Sequence, residues 1–499
     1  MARIDYKVLR HIHDNPSNYT CKPSGKGNYF HGSVPQELIQ LQRLKVMDFS
    51  LNNFDGEIPS WLHFLPKLQI LSLRGNSFPG FILPFLSNIS MFQYLHLSSN
   101  PLQGKILEDI GNLHNLKTLA LQDNRLTSVI PLQIFNISTM EFLAFEENNF
   151  IGNLPLQVCH GLPILQGLYL ARNDLDGEIP SNLSKCLQLQ NLSLSHNKFR
   201  GSIPGEIGSI RTLQYLYLGV NDLSGAIPCK LGNMENLKKL IMGYNFLNGS
   251  ILASIFDISS LQYIEIQHCC LSVWALYEIG TLYNLEHLSL NNNNLNGPIP
   301  NFLGNLGSIE KVDLQENNFI SKSPEMSFIT SLTTCIYLTK LAFGNNPLNG
   351  ILLFSIGNLS TSPQYLYGDN CDLRGSIPNE IGNLTNLTML SLFGNELTGS
   401  IPTSMGNMQK LQGLYILRNK LSGSILDSLR SIPSTTGDLQ SLSDLSFAYN
   451  ALQGSLLESM DKMLSLEQLD LSHNNLFGNI PKSLEALKYL AYLDVFSMI

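Results

Sequence analysis

The side chains best able to do chemistry are few and scattered. His11 and His13 form an H-x-H pair, a spacing that can hold a metal, but the surrounding residues have no clear pattern. No H-E-x-x-H, phosphate-cradling glycine loop or zinc-spaced cysteine pair stands elsewhere among the eight cysteines. The expectation is no metal, no cofactor and no catalytic residue. The 39 acidic side chains make carboxylate pairs inevitable, so pairing alone says nothing about catalysis. A formal charge of −8 is spread over 499 residues, and no Lys/Arg block marks a nucleic-acid surface. Nine Asn-x-Ser/Thr sequences, at Asn18, Asn88, Asn136, Asn182, Asn191, Asn248, Asn358, Asn383 and Asn386, are candidate acceptors for N-linked glycans.

What must position any site is a repeat. Aligning the chain on one Asn set among apolar residues gives Asn52, Asn76, Asn100, Asn124, Asn148, Asn173, Asn197, Asn221 and Asn245, then Asn293, Asn317, Asn346, Asn395, Asn419, Asn450 and Asn474. Asn28 precedes them in the same register, and Cys269 and Cys371 replace Asn at two positions. Of the 18 intervals, 14 are 24 residues long. Each unit reads L-x-x-L-x-x-L-x-L-x-x-N-x-L-x-G-x-I-P, the leucine-rich repeat pattern, as in Leu384, Leu387, Leu390, Leu392, Asn395, Leu397, Gly399, Ile401 and Pro402. Leu390 and Leu392 alternate as in a short strand with one buried face. After the strand the chain turns inward and strands main-chain groups in an apolar interior, each costing a few kcal/mol if unpaired. A carboxamide has two donors and an acceptor, so stacked Asn residues can form a ladder between turns. Gly399 permits a bend, and Pro402 ends strand pairing. The expected fold is an α/β-type repeat solenoid, a right-handed superhelix with a concave parallel β-sheet, because no unit can bury its apolar face alone.

The positions six, four, two and one before each ladder residue should face outward on the concave side. Most carry Ser, Gly, Ala or Gln. A central set differs: Phe142, Glu146, Glu147, Tyr169, Arg172, Tyr215, Tyr217, Lys239, Tyr244, Tyr263, Glu265 and His287. Aromatic and Arg side chains are the usual anchors of interfaces, so this strip is the candidate ligand-binding surface. The bland alternative is that aromatics favour strands and merely cover the sheet. A second, smaller cluster is Tyr365, Tyr367, Asp369, Phe393, Tyr415 and Arg418.

The organisation expected is a poorly patterned tail over 1–20, a solenoid over 21–496 with about twenty units, and an interrupted end at 497–499. One unit near 420–440 looks collapsed: the endings Ile425-Leu426 and Ile432-Pro433 stand only seven residues apart. Extra residues around "SKSPEMSFITSLTTC" read as a loop insertion. Cys159 and Cys186 lie in adjacent units and could form a disulfide if secreted, but they sit at apolar positions and are expected, like Cys335, as buried free thiols. The first twenty residues have no apolar core of export-signal length, and no run of 18 apolar residues exists, so no direct membrane insertion is expected.

The wording I-P-x-x-[IL]-G-N-L resembles the plant-type repeat of leucine-rich-repeat receptor kinase ectodomains. "SFITSLTTCIYLTKLAFGNNPLNGILLFSIGNLS" and "GDNCDLRGSIPNEIGNLTNLTML" are similar to the subfamily holding the flagellin and EF-Tu immune receptors. The resemblance implies a module that binds a peptide or protein on its concave or lateral face, recruits a co-receptor kinase, acts in defence signalling and sits on the outside of the plasma membrane. The family's kinase motifs H-R-D-x-x-x-x-N and D-F-G, its paired-cysteine caps and its membrane span are not found in this sequence. Two other readings remain open: an incomplete gene model or pseudogene remnant without signalling function, and a secreted inhibitor-like repeat protein.

Overall fold

Each repeat begins with a strand of only three residues, and its middle residue explains why. In Met389–Ser391, Leu390 points inward and is fully buried. The equivalent residues Leu95, Leu216 and Leu341 are also fully buried. Three residues suffice because the chain then has to turn. The residue just before the ladder position takes a left-handed conformation, with φ of 57° at Asp123, 58° at Val220 and 52° at Arg418. Such residues are strained unless held, and the ladder side chain holds them.

The computed structural model describes residues 28–274, 276–359, 363–424, 441–456 and 463–496. The tail over 1–20, the end at 497–499, and His11, His13 and Asn18 lie outside the described residues, as does most of the 420–440 stretch. Contacts divide the chain into two compact units, Met1–Leu175 and Asp176–Ile499. In the first, the strands Ile70–Ser72, Tyr94–His96, Thr118–Ala120, Phe142–Ala144 and Gly167–Tyr169 pair in parallel and in register. In the second, the same arrangement runs from Asn191–Ser193 through Tyr215–Tyr217, Lys239–Ile241, Tyr263–Glu265, His287–Ser289 and Lys311–Asp313. It continues through Lys340–Ala342, Tyr365–Tyr367, Met389–Ser391 and Gly413–Tyr415. Both units are leucine-rich-repeat solenoids.

A typical ladder amide reaches four main-chain groups. Asn293 Nδ2 donates to Leu290 O, Asn291 O and, one repeat back, Ile266 O at 2.9–3.3 Å, while its Oδ1 accepts from Leu271 N at 3.2 Å. Asn221, Asn245, Asn317, Asn395 and Asn419 repeat this pattern. Cys269 offers only Sγ contacts of 3.7 Å to Met242 O and Gln267 O. At that rung the buried Leu247 N–H meets only the sulfur, a weaker acceptor than the amide oxygen with which Asn245 serves Leu223 N–H. Cys269→Asn should therefore raise the urea midpoint, with a gain of about 1 kcal/mol; an unchanged midpoint would mean that the thiol already suffices.

The structure departs from the sequence reading in three places. A second strand follows many ladder residues, and Lys198–Ser202, Asp222–Ala226 and Phe246–Ile251 pair into a second parallel sheet. Its signal was alternation around Phe199, Leu223 and Leu247, all buried, ending at a glycine such as Gly201 with φ of 77°. The insertion is not a loop: Ser327–Ser331 forms an α-helix and Leu332–Thr334 a 3-10 turn, burying Phe328, Ile329 and Leu332. Cys159 and Cys186 are each engaged in a disulfide rather than free. Cys335 is a buried free thiol whose pKa burial pushes up.

The return path opposite the first sheet is a five-residue 3-10 helix. Pro402, with φ of −62°, introduces Thr403–Asn407, as Pro204 introduces Gly205–Ser209. Among the described residues no helix is long and apolar enough to cross a membrane.

Candidate functional site

The open face of the first sheet is where a pleated strand must display residues it does not bury. The two units display them differently. In the 1–175 unit, Phe142 and Tyr169 are 1% and 2% exposed and cluster with Ala120 and Ala144. Their rings close over Gly167, where a Cβ would collide with both. Small neighbours on adjacent strands let these rings lie flat, so they are not presented outward as the sequence reading expected. Glu146 is likewise buried. Arg172 and Glu147 remain at the surface of this unit, 3.5 Å apart. Burial raises the Glu147 pKa, against the pull of Arg172.

In the 176–499 unit most of the outward residues stay partly accessible, Tyr217 and Asp369 being buried. Tyr215 and Tyr217 lie parallel with ring centres 6.3 Å apart, Tyr215 half-buried and Tyr217 buried. Lys239 Nζ sits 4.0 Å above the Tyr263 ring, a cation–π contact. Tyr263 stacks on His287 at 6.0 Å, and His287 Nε2 faces Glu265 Oε1 at 3.6 Å. Tyr244, half exposed, stacks on His268 at 4.2 Å along the turn. Farther along, Tyr365 stacks on Tyr367 at 6.4 Å. The Asp369 carboxylate is buried and accepts hydrogen bonds from Ser391 Oγ and Phe393 N. Arg418 lies 5.4 Å from the Tyr449 ring.

Charge in this region is set by burial more than by pairing. Burial, with help from Lys311 and Lys340, lowers the His287 pKa to about 4. The His287–Glu265 contact is therefore one between a neutral imidazole and a carboxyl, not an ion pair, near neutral pH. Burial raises Glu265, opposed by Lys239 and Lys311. Tyr263 is raised by burial and by donating its hydroxyl proton in a hydrogen bond to Glu286.

A folded-state pKa near 4 against about 6.5 in an unfolded chain means the unfolded chain takes up the proton first as pH falls. His287 then removes stability between about pH 6.5 and pH 4, by about 1–3 kcal/mol in total. Glu265 has the opposite sign, its contribution being lost as pH rises. In His287→Gln the acid loss of stability should shrink by that amount, measured by urea unfolding at several pH values. An unchanged pH profile would show that His287 is not held neutral.

Sequence counting omitted three residues of the same region: Lys311, Asp313 and Lys340. They occupy the registers six and four before Asn317 and Asn346, so the rule that found Lys239 and Glu265 reaches them. Lys340 Nζ binds Asp313 Oδ2 at 2.8 Å.

Among the sequons, Asn88, Asn136, Asn358 and Asn383 are exposed and each ends a 3-10 helix. Asn182 and Asn248 are also exposed. Asn386 accepts a hydrogen bond from Lys410 Nζ at 2.6 Å. Asn191 is 5% exposed within its strand, so its amide is closed to an incoming glycan in the folded chain. A groove of about 340 Å³ lies between Pro298, Phe302, Ile320 and Phe328, away from the aromatic row.

A sheet displaying aromatic and charged side chains over stacked leucine coils defines a recognition scaffold of the leucine-rich-repeat class. The Leucine Rich Repeat family model matches residues 43–65, 67–89, 91–113, 165–186, 188–210, 284–306, 386–408 and 465–487. The structure superposes on the plant peptide hormone receptor RGFR1, solved in complex with RGF2, with a TM-score of 0.84 and 32% identity, covering 94% of this chain and 76% of that one. It also superposes on the Arabidopsis receptor kinase HAESA, solved with the peptide hormone IDA and the co-receptor SERK1, with a TM-score of 0.61 and 27% identity over 91% and 86%. In sequence it is 44% identical over 80 residues to the receptor kinase-like protein Xa21 of Oryza sativa subsp. japonica, an alignment spanning 16% of this chain and 8% of that protein. The chain belongs to the leucine-rich-repeat ectodomains of plant receptor kinases.

Proposed function

We propose that this chain is the ligand-recognition module of a plant receptor kinase that acts in defence signalling, and that it performs no chemistry itself. It takes a peptide or protein on the open sheet face of the 176–499 unit, and a co-receptor kinase joins the complex. The observation that carries the reading is the run of aromatic and charged residues from Tyr215 to His287, all but Tyr217 at least partly accessible, on a face where Ser and Gly would suffice to keep the fold. Interfaces draw their energy from such anchors. RGFR1 and HAESA, solved with peptide hormones and in the second case with SERK1, support a peptide ligand and a co-receptor.

The test is selection of randomised displayed peptides on the secreted chain. Selected peptides should bind the Tyr215→Ala/Lys239→Ala variant about tenfold more weakly or worse, the loss expected for two anchors worth about 1 kcal/mol each. Equal binding to wild type and variant would remove this face as the site.

A further inference from the structure

The site proposed above contains a charge pattern that specifies its ligand more narrowly. The first residues of six successive strands form a row: Lys239, Tyr263, His287, Lys311, Lys340 and Tyr365, each the direct lateral partner of the next. No carboxylate stands in it. Lysines on directly opposed positions of adjacent strands repel, yet Lys311 and Lys340 are such a pair.

Their surroundings treat them unequally. Lys340 is held by Asp313 at 2.8 Å, and Lys239 is spent on the Tyr263 ring at 4.0 Å. Lys311 is exposed and makes no ion pair among the described residues. Glu265 lies on the neighbouring row, where it faces His287. One residue before the row stand Lys238, Glu286 and Glu310, of which Glu286 accepts the Tyr263 hydroxyl proton. His287 is neutral and brings no charge of its own. The row therefore has one cation with neither an ion pair nor a ring contact, Lys311, which stands between the His287 imidazole and Lys340 and acts on the Glu265 carboxyl only at longer range.

We propose that Lys311 is the specificity-determining residue of this face, selecting an extended peptide through an Asp or Glu side chain seated on its ammonium. This rests on the peptide-binding reading above and goes beyond it by naming the chemistry selected. Strands stand ~4.8 Å apart and an extended chain advances ~3.4 Å per residue. Lys311 and Lys239 are three strands apart, ~14 Å, or about four peptide residues. A peptide crossing the strands with its acid at Lys311 lays its next residues over His287, Tyr263 and Lys239, where apolar or aromatic side chains meet the outer edges of the stacked rings.

The experiment is a peptide selection on the full chain, with the library fused at its C terminus so that no free terminal carboxylate can substitute. Wild type, Lys311→Glu and, as a control, Lys410→Glu are compared; Lys311 and Lys410 are both exposed, and thermal melts confirm that the variants fold. Peptides selected on wild type and on Lys410→Glu should be enriched in Asp and Glu. That enrichment should vanish with Lys311→Glu, and a resynthesised acidic peptide should bind Lys311→Glu about tenfold or more weakly, a change of about 1.4 kcal/mol. Peptides selected without acidic enrichment, or an enrichment that survives Lys311→Glu, overturn the assignment while leaving peptide binding in place. Failure to select any peptide on wild type is a different result, which removes the peptide-binding reading and this assignment with it.

Discussion

Asn346→Ala should lower the unfolding free energy by about 3–5 kcal/mol. Asn346 is the most buried ladder amide, 1% exposed. Its Nδ2 donates to Phe343 O at 2.9 Å, Gly344 O at 3.1 Å and, across to the preceding repeat, Leu314 O at 2.9 Å. Its Oδ1 accepts from Phe319 N at 3.0 Å. Alanine would leave these groups facing apolar side chains, and each uncompensated group costs about 1–3 kcal/mol, reduced where water can enter. The preceding residue, Asn345, has φ of 54° and would lose the bracket that holds the inward turn. Equilibrium urea unfolding should show an earlier midpoint. Because repeat arrays can open locally, amide exchange should be fastest in the repeats on either side of 346. A midpoint within about 0.5 kcal/mol of wild type would mean that the amide ladder does not hold adjacent coils together.

That ladder was the most legible part of the fold, and the reason is physical. A buried amide surrounded by leucines has one inexpensive explanation, main-chain satisfaction, and its period fixes the register of everything else. The three-residue strand followed from Leu390 and Leu392. The second sheet was harder to see because its signal is one buried residue per strand, such as Phe199, followed by Gly201. The open face was only partly legible. Register counting places Phe142 and Tyr215 in the same column, but burial depends on lateral neighbours: Ala120, Ala144 and Gly167 let Phe142 and Tyr169 lie down, whereas Tyr215 has Asn191 and Lys239 beside it and remains partly accessible. Sequence distance to a lateral neighbour is about a full repeat, so a local window does not see it. Lys311 and Lys340 fit the same register, but a lysine at an outward strand position is by itself no different from an ordinary solvated surface charge.

A second glycine of the repeat, in I-G-N-L, had no assigned role in the sequence, and its substitution should be nearly as damaging as loss of a ladder amide. Gly208 lies in the helix Gly205–Ser209, and a Cβ there would press into the carbonyl of Lys230 in the next helix. Gly232, Gly304, Gly357 and Gly382 meet Ser254, Ser331, Glu380 and Ser404 in the same way. Adjacent short helices, 3-10 in each case except the α-helix Ser327–Ser331, therefore touch backbone to backbone at this column. The obstacle is main chain and not the tip of a movable side chain, so the coils must separate to admit even a methyl group. Gly208→Ala should cost about 2–4 kcal/mol, above the usual range for overpacking because rigid backbone has to yield. Gly307→Ala is the matched comparison: a Cβ there meets nothing within 4 Å and its φ is not in the left-handed range. It should be neutral or stabilising by about 0.5 kcal/mol, through lower entropy of the unfolded chain. Urea midpoints of the two variants should therefore fall on opposite sides of wild type or differ by at least 2 kcal/mol. Equal midpoints would mean that the helix column slides apart without penalty and that the sheets alone set the stacking of the repeats.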